Sequence, residues 1–156
     1  MDEYIFSVHK RKIEATKENL MVIYEGLGNN ILKQLGQVEL GKPIRIFIKS
    51  KKDEVVGGIS ASVFGNYVYI ELLWIEESLR NKGYGTKLLN MIETEAKELG
   101  CKYAHADTYS FEARPFYEKN GYTLFGTLDD YIEGHSKYFL RKNLEDLNSE
   151  IKKRVF

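Results

Sequence analysis

Apolar residues recur at helical spacing in the first quarter of the chain. From Leu20 to Leu35 they form one face, and Thr16 stands in front of them as a candidate N-cap. Gly26 and Gly28 fall inside this pattern, and each weakens a helix by ~1 kcal/mol relative to alanine. We therefore expect a break at these glycines and two shorter helices, the second ending at Gly36.

Further along, apolar and polar residues alternate with a period of two, which is typical of strands. The Gly65-Asn66 pair between two such runs is a hairpin signal, so the first three strands should form an antiparallel meander. A further strand is expected before the first helix, at either residues 4–7 or residues 12–15. The other predicted strands cover residues 44–48, 55–64, 67–75, 103–108, 123–128 and 136–141.

The clearest element is an amphipathic helix from Tyr84 to Leu99, which carries one apolar stripe. A short helix with Pro115 in its first turn is predicted to run to Asn120, where Gly121 closes it. Strands mixed with helices in this order predict an α+β domain over residues 1–143. The tail, residues 144–156, has apolar residues at helical spacing.

Length and composition narrow the class of protein. The 156 residues suit one hydrophobic core, and 43% apolar with 29% charged residues is an ordinary globular composition. Lys plus Arg and Asp plus Glu both total 23, and this zero net charge argues against a dedicated nucleic-acid binder. The single cysteine, Cys101, cannot form an intrachain disulfide or a multi-cysteine zinc site. We expect a cytoplasmic protein with no membrane partner, since no signal-like start or apolar run of ~20 residues occurs.

The segment Arg80–Thr86 lies between a buried strand and the amphipathic helix. Its two glycines, Gly83 and Gly85, allow a tight turn and the close approach of a ligand. The first amides of the helix lack intrahelical acceptors, and with the helix dipole they form an anion site suited to a pyrophosphate. Arg80 and Lys82 add positive charge. A plain strand-to-helix turn would explain the glycines equally well.

Two common nucleotide-binding motifs do not fit this loop. A P-loop requires glycine, four residues and then Gly-Lys-Ser/Thr, whereas the order here is Gly85-Thr86-Lys87 with no earlier glycine in place. A dinucleotide fingerprint requires a third glycine where Leu88 stands, and a parallel βαβ unit around it. Both motifs are therefore rejected.

The loop instead resembles the pyrophosphate signature of the GNAT acetyltransferase superfamily, Gln/Arg-x-x-Gly-x-Gly/Ala, here read from Arg80 to Gly85. A second segment, Ala113–Tyr122, is similar to another landmark of that family, an alanine followed by an apolar–tyrosine pair and then Gly-aromatic. The two landmarks occur in the family's order, and the resemblance covers most of the chain. It is closest in kind to the small, single-domain bacterial members.

The resemblance implies a splayed, mixed sheet of six to seven strands with about four helices around it. It also implies acetyl-CoA in the cleft where the sheet splays after its fourth strand, and no metal. Many relatives have asparagine where this chain has Ser110, whose hydrogen-bonding reach is shorter. The residues that the resemblance assigns to the cofactor are Leu73, Trp74, Ile75, Arg80, Lys82, Gly83, Tyr84, Gly85, Thr86 and Ser110.

The implied reaction is direct attack of a primary amine on the thioester within a ternary complex. An alkylammonium group has a pKa near ~10.4, so a general base must take its proton, and the departing thiolate needs an acid. Tyr117 occupies the position where many relatives place that acid. The alternative is that Tyr117 is an ordinary core aromatic.

Glu71 is the candidate base or amine-binding carboxylate. A charge inside an otherwise apolar strand costs several kcal/mol unless it is paired or reaches water. By alternation it should share a strand face with Leu73 and Ile75. The alternative is a structural ion pair of Glu71 with Arg45 or Arg114, and the sequence favours neither interpretation.

The acceptor is expected to be a small-molecule amine, bound by residues 26–30 and by a loop over Asp129–His135. His135 could line that pocket or serve as the base, although a surface histidine is the commoner outcome. A non-catalytic acyl-CoA-binding sensor and an acetyltransferase acting on a protein lysine or N-terminal amine are the alternatives. A homodimer through the apolar tail or the edge strands is left open.

Overall fold

The computed structural model describes residues 4–8, 15–36 and 40–145. The chain divides into two compact units, Met1–Val38 and Glu39–Phe156. The second unit contains the sheet and both landmark segments. Among the described residues, no helix is long and apolar enough to cross a membrane.

The first unit contains helix α1 (Ala15–Leu35), a continuous helix of 21 residues. The predicted break at Gly26 and Gly28 is wrong, because neither glycine leaves the negative-φ region and no turn interrupts the helix. The ~1 kcal/mol that each glycine costs is smaller than the loss from interrupting the helical hydrogen bonds. Thr16 lies inside the helix rather than at its cap. Residues 4–8 form no strand, and residues 12–14 lie outside the described part of the chain.

The second unit is a six-stranded mixed sheet with helices, as the α+β prediction required. The strand order is β1-β2-β3-β4-β6-β5, and every neighbouring pair is antiparallel except the parallel pair β3–β4. With α1, the described residues hold three α-helices instead of about four. The strands are β1 (Lys42–Lys49), β2 (Val55–Phe64), β3 (Tyr67–Ile75), β4 (Tyr103–Tyr109), β5 (Thr123–Ile132) and β6 (His135–Asn143). The helices are α2 (Tyr84–Glu98), α3 (Arg114–Lys119) and a single 3-10 turn (Glu77–Leu79).

The segment predicted as a loop over Asp129–His135 is mostly strand. β5 runs to Ile132 and β6 begins at His135, so the turn itself is only Glu133-Gly134, both with positive φ (47° and 78°). The register of the hairpin shifts between Leu128 and Ile132, where Asp130 also takes a positive φ of 47°. Both faces of the strand are exposed here, so its residues are largely polar and lack the apolar alternation that predicts a strand.

The parallel pair β3–β4 is short. Its register covers only Tyr67–Ile70 against Tyr103–Ala106. Beyond this point β3 keeps β2 as its neighbour, and β4 keeps β6. The sheet therefore forks after Ile70 and Ala106, and the second half of β3 has one free edge.

A β-bulge lies at the same level of β3. In the β2–β3 pair, Ala61 is opposite Ile70 and Ser60 is opposite Leu72, so Glu71 is the extra residue. An inserted residue reverses the alternation of faces downstream. Glu71 therefore lies on the face opposite to that of Leu73, and the prediction that Glu71 shares a face with Leu73 and Ile75 is wrong.

The core lies between one face of the sheet and helix α2. Sheet residues such as Ile59, Val68 and Ala104 pack against Leu89 and Ile92 of the helix, and all are at most 2% exposed. Leu144, the first residue of the predicted tail, is fully buried in the same cluster, and its amide donates to the Lys102 carbonyl (2.8 Å). The domain boundary at residue 143 stays a prediction.

One ion pair is buried beneath the sheet. Lys142 Nζ on β6 lies 2.7 Å from Glu93 Oε2 on α2, and their side chains are 12% and 3% exposed. Tyr122 donates its hydroxyl to the other carboxylate oxygen (3.0 Å). Both oxygens of Glu93 are thus occupied, and the three residues tie α2 to the segments that follow α3.

Replacing Glu93 by alanine should therefore destabilise the protein by ~3–5 kcal/mol, because it leaves the Lys142 ammonium buried without a partner. Urea unfolding followed by circular dichroism measures this free energy. Lys49→Ala is the matched control, since it breaks the exposed Lys49–Asp53 pair, a change worth less than ~1 kcal/mol. Equal losses for the two variants would show that burial of the pair contributes nothing.

Candidate active site

The loop between β3 and α2 has a conformation that leaves amides free. Asn81 and Gly83 both adopt left-handed φ values, 57° and 82°. The first hydrogen bond of α2 runs from the Lys87 amide to the Gly83 carbonyl (3.0 Å). Within the described part of the chain, the amides of residues 83–86 therefore have no backbone acceptor. Together with the helix dipole, these four donors can hold an anion.

The two basic side chains of the loop fold back on it. Arg80 donates from Nε to the Ile75 carbonyl (3.0 Å), and Lys82 donates from Nζ to the Ser78 carbonyl (2.8 Å). Both residues are exposed. Each keeps further N–H donors beyond the one used, so both can add charge to the anion site.

The two glycines of the loop have different structural roles. At Gly83 a Cβ would meet nothing within 4 Å, but the positive φ disfavours any other residue. At Gly85 a Cβ would lie 3.1 Å from Cε2 of Phe116 on α3. Gly85 thus lets α3 pack against the start of α2, which fixes the position of the neighbouring Tyr117.

The free edge of β3 presents peptide groups to the fork. The Glu76 amide donates to the Val56 carbonyl of β2, so by alternation the peptide groups of Leu73 and Ile75 point the other way, into the fork. The Trp74 peptide faces β2, where Trp74 is opposite Gly58, and its side chain is 53% exposed. The edge could therefore pair with an extended ligand that carries amides.

Tyr117 is buried on α3 with its hydroxyl free. Its side chain is 5% exposed and its ring lies edge-on to those of Phe116 and Tyr122, both at 5.3 Å. No described residue hydrogen-bonds to its hydroxyl, yet every fully buried polar side-chain atom in the described residues has a partner. The hydroxyl must therefore reach solvent. Burial, and next the negative charge of Asp107, raise the pKa of Tyr117 to about 12.

Glu71 is held by two serines of β2. Ser62 Oγ donates to Oε1 (2.5 Å) and Ser60 Oγ donates to Oε2 (3.1 Å). The carboxylate is exposed and lies on the face of the sheet opposite to α2. Arg114, one of the expected ion-pair partners, pairs instead with Glu118 (2.8 Å).

Asp107 is a second carboxylate at the fork, and the sequence reasoning missed it. The last β3–β4 pair is Ile70 with Ala106. Glu71 is the next residue on β3, and Asp107 is the next residue on β4. Its Oδ2 accepts from the Tyr69 hydroxyl (2.6 Å) and its Oδ1 from Lys137 Nζ (2.8 Å). Burial and the bond to Asp107 raise the pKa of Tyr69 to about 12. The available signal was the same as for Glu71, a carboxylate inside an alternating strand.

Ser110 and His135 meet at the far end of β4. Ser110 Oγ lies 3.3 Å from Nδ1 of His135 and accepts from the Ser136 amide (3.3 Å). The ring of His135 stands edge-on to Phe111, with 4.8 Å between centroids. The Ser110 hydroxyl is thus joined to the start of β6. Among the described residues, no group of three or more acidic, histidine or cysteine side chains could hold a metal.

A forked sheet with a free strand edge, beside a helix whose first amides are open, is the arrangement that the resemblance to the acyltransferases of the GNAT superfamily predicted. A sequence profile of the Acetyltransferase (GNAT) family matches residues 17–122, and the chain belongs to this family. It is therefore an acetyl-CoA-dependent acyltransferase, as predicted.

Three relatives illustrate the match. Acetyltransferase Atu2258 of Agrobacterium fabrum is 34% identical over 101 residues, which cover 65% of this chain and 74% of that protein. Blasticidin-S acetyltransferase of Streptomyces morookaense is 29% identical over 107 residues, covering 66% and 79%. A crystal structure of an acetyltransferase from Agrobacterium tumefaciens is 28% identical with a TM-score of 0.78, covering 91% of this chain and 99% of that one.

The anion site can be tested at Gly83. Gly83→Ala adds a methyl group in open space but disfavours φ near +82° by ~1–2 kcal/mol, so the loop should relax and acetyl-CoA should bind roughly 5- to 30-fold more weakly. Isothermal titration calorimetry measures the change. Gly65→Ala is the control, because Gly65 also has a positive φ (57°) and open surroundings, at the β2–β3 turn. Equal affinities for wild type and Gly83→Ala would exclude this loop as the site.

Proposed function

We propose that the protein transfers the acetyl group of acetyl-CoA to a primary amine of a small molecule, in a ternary complex. The observation that carries this proposal is the free, solvent-reaching hydroxyl of the otherwise buried Tyr117. The name of the blasticidin-S relative supports acceptors that are not proteins. Residues 1–143 would form the acetyltransferase domain, with residues 144–156 as its tail; a homodimer stays a prediction.

The donor would be held by main-chain groups that have no partner in the sheet or in α2, although the Ile75 carbonyl already accepts from Arg80 Nε (3.0 Å). The pyrophosphate would bind to the amides of residues 83–86, which include those of Tyr84 and Thr86. Arg80 and Lys82 would add positive charge there. The peptide groups of Leu73 and Ile75 suit the amides of pantetheine, which would lie along the strand edge. Trp74 would contribute its side chain rather than its backbone. Ser110 would contribute the hydrogen-bonding capacity that its hydroxyl keeps beyond the contacts with His135 and Ser136.

Tyr117 would act as the general acid toward the departing thiolate. An acid must stay protonated until the leaving group departs, and a pKa of about 12 keeps Tyr117 protonated across the physiological range. The amide of Leu73, which points into the fork, would stabilise the oxyanion. A purely acyl-CoA-binding sensor has no use for a hydroxyl kept free in this way.

Glu71 would take the proton of the acceptor ammonium, directly or through one water. Glu71 follows the buried Ile70, so its carboxylate lies on the face opposite to α2, from which an acceptor can approach without meeting the core helix. The serine hydroxyls hold both carboxylate oxygens in a fixed orientation. His135 lies with Ser110 and Phe111, and it is the weaker candidate because no contact joins it to Glu71 or Tyr117.

Tyr117→Phe should lower kcat by ~10²-fold or more while leaving the affinity for acetyl-CoA nearly unchanged. Because the pKa of Tyr117 is about 12, wild-type kcat should not fall between pH 8 and pH 10, when the acid is still protonated. Thiol release over that range measures both effects. Tyr122→Phe is the matched control, since the Tyr122 hydroxyl donates to Glu93. An unchanged kcat in Tyr117→Phe would show that Tyr117 is not the general acid.

Glu71→Gln should preserve the two serine contacts and remove the base. A base works only when deprotonated, so wild-type kcat/KM should fall on the acidic side, and the variant should be slower by ~10²-fold with that limb lost or shifted. The comparison uses pH–rate profiles of both proteins at saturating acetyl-CoA. An acidic limb that survives unaltered in Glu71→Gln would assign the base elsewhere.

A further inference from the structure

Four aromatic rings cluster on the surface where β4 ends and the β5–β6 hairpin turns. Tyr109 and Phe111 are stacked, with centroids 5.3 Å apart and planes 10° from parallel. Tyr131 lies 5.9 Å from Tyr109, and His135 stands edge-on to Phe111 at 4.8 Å. We name these four residues the aromatic shelf. Phe111 and Tyr131 are 58% and 48% exposed, so the shelf offers open ring surface to a ligand.

The turn that carries Phe111 is held on both sides. The Ser110 amide donates to the Ser136 carbonyl (2.9 Å), which fixes the turn to β6. Glu112 Oε2 accepts from the Tyr109 amide and from Thr108 Oγ1, both at 3.3 Å. These hydrogen bonds fix the backbone of the turn, and stacking on Tyr109 and the edge-on contact with His135 orient the Phe111 ring. The shelf is therefore preorganised, and a ligand need not supply the free energy of ordering it.

The shelf is continuous with the proposed reaction site. Lys137 Nζ lies 5.8 Å from the Tyr109 ring and 5.2 Å from the Tyr131 ring. The same nitrogen is paired with Asp107, one of the two carboxylates at the fork. Tyr109 is two residues beyond Asp107 on β4, so both side chains lie on the same face of the sheet, opposite to α2. This is also the face of Glu71.

We propose that the aromatic shelf binds a flat aromatic ring of the acceptor, so that the acceptor class is primary amines joined to such a ring. This inference rests on the proposed function, since it places the ring of the molecule whose amine is acetylated. Flat rings prefer offset or edge-on contact with exposed aromatic side chains, and the shelf presents both kinds of ring surface. Lys137 is already neutralised by Asp107, so the shelf does not repel an ammonium group at the other end of the acceptor.

The test compares phenethylamine with cyclohexylethylamine as acceptors at saturating acetyl-CoA. The two amines have similar size, and only the first has a flat aromatic ring. Because a phenyl group also lowers the pKa of the amine relative to cyclohexyl, kcat/KM is compared per mole of neutral amine. Wild-type kcat/KM should be about three- to tenfold higher for phenethylamine. Phe111→Leu should abolish this preference by raising the KM for phenethylamine, with kcat and the affinity for acetyl-CoA unchanged. Phe47→Leu, which replaces another phenylalanine that is 58% exposed, should keep the preference.

The outcomes separate the two proposals. If both amines are acetylated equally well, or if Phe111→Leu keeps the preference, the shelf does not bind the ring and the proposed function stands. If Phe111→Leu weakens acetyl-CoA binding instead, the shelf belongs to the donor and this inference is wrong. If neither amine is acetylated although acetyl-CoA binds, the affinity of the CoA-bound protein for each amine is measured by calorimetry. Equal affinities, or no binding of either amine, would overturn the inference. Failure of acetyl-CoA to bind would overturn the proposed function itself.

Discussion

The early end of the β3–β4 pairing is the constraint on which the rest of the site depends. Only four residue pairs join the two parallel strands, up to Ile70 and Ala106. Beyond them, the peptide groups of Leu73 and Ile75 have no strand partner on this side, and the Ile75 carbonyl accepts from Arg80 Nε instead. A strand edge without a neighbouring strand keeps donors and acceptors that another molecule can pair with. Gly85 contributes to the same opening by letting α3 pack against α2, which places Tyr117 beside the fork.

The fork also separates two chemical environments. On the face toward α2, apolar residues make the core, and the buried Lys142–Glu93 pair ties the helix to the last strand. On the opposite face, the bulge at Glu71 and the first unpaired residue of β4, Asp107, place two carboxylates at the opening. Each has both oxygens occupied, Glu71 by serine hydroxyls and Asp107 by Tyr69 and Lys137. A thioester reaching through the fork would thus meet an acid on one side and oriented carboxylates on the other.

The sequence predicted the elements whose signals are local. The glycine loop, α2, α3 and the six strands were found because periodicity and helix-end residues report directly on local conformation. Errors arose where the outcome depended on pairing between distant segments. The face of Glu71 could not be predicted, because the bulge is defined only by the register against β2. The hairpin over Asp129–His135 looked like a loop because both its faces are exposed. Asp107 carried the same sequence signal as Glu71, but its partners Tyr69 and Lys137 are known only once distant strands are paired. The break predicted at Gly26 and Gly28 does not occur, because a small propensity penalty does not end a long helix.

The most direct test of this account is a crystal structure of the protein with acetyl-CoA. The account predicts pyrophosphate oxygens within ~3 Å of the amides of residues 83–86, pantetheine amides paired with Leu73 and Ile75, and the thioester sulfur within hydrogen-bonding reach of the Tyr117 hydroxyl. Acetyl-CoA bound with its pyrophosphate away from the α2 N-terminus, or with its sulfur far from Tyr117, would contradict it.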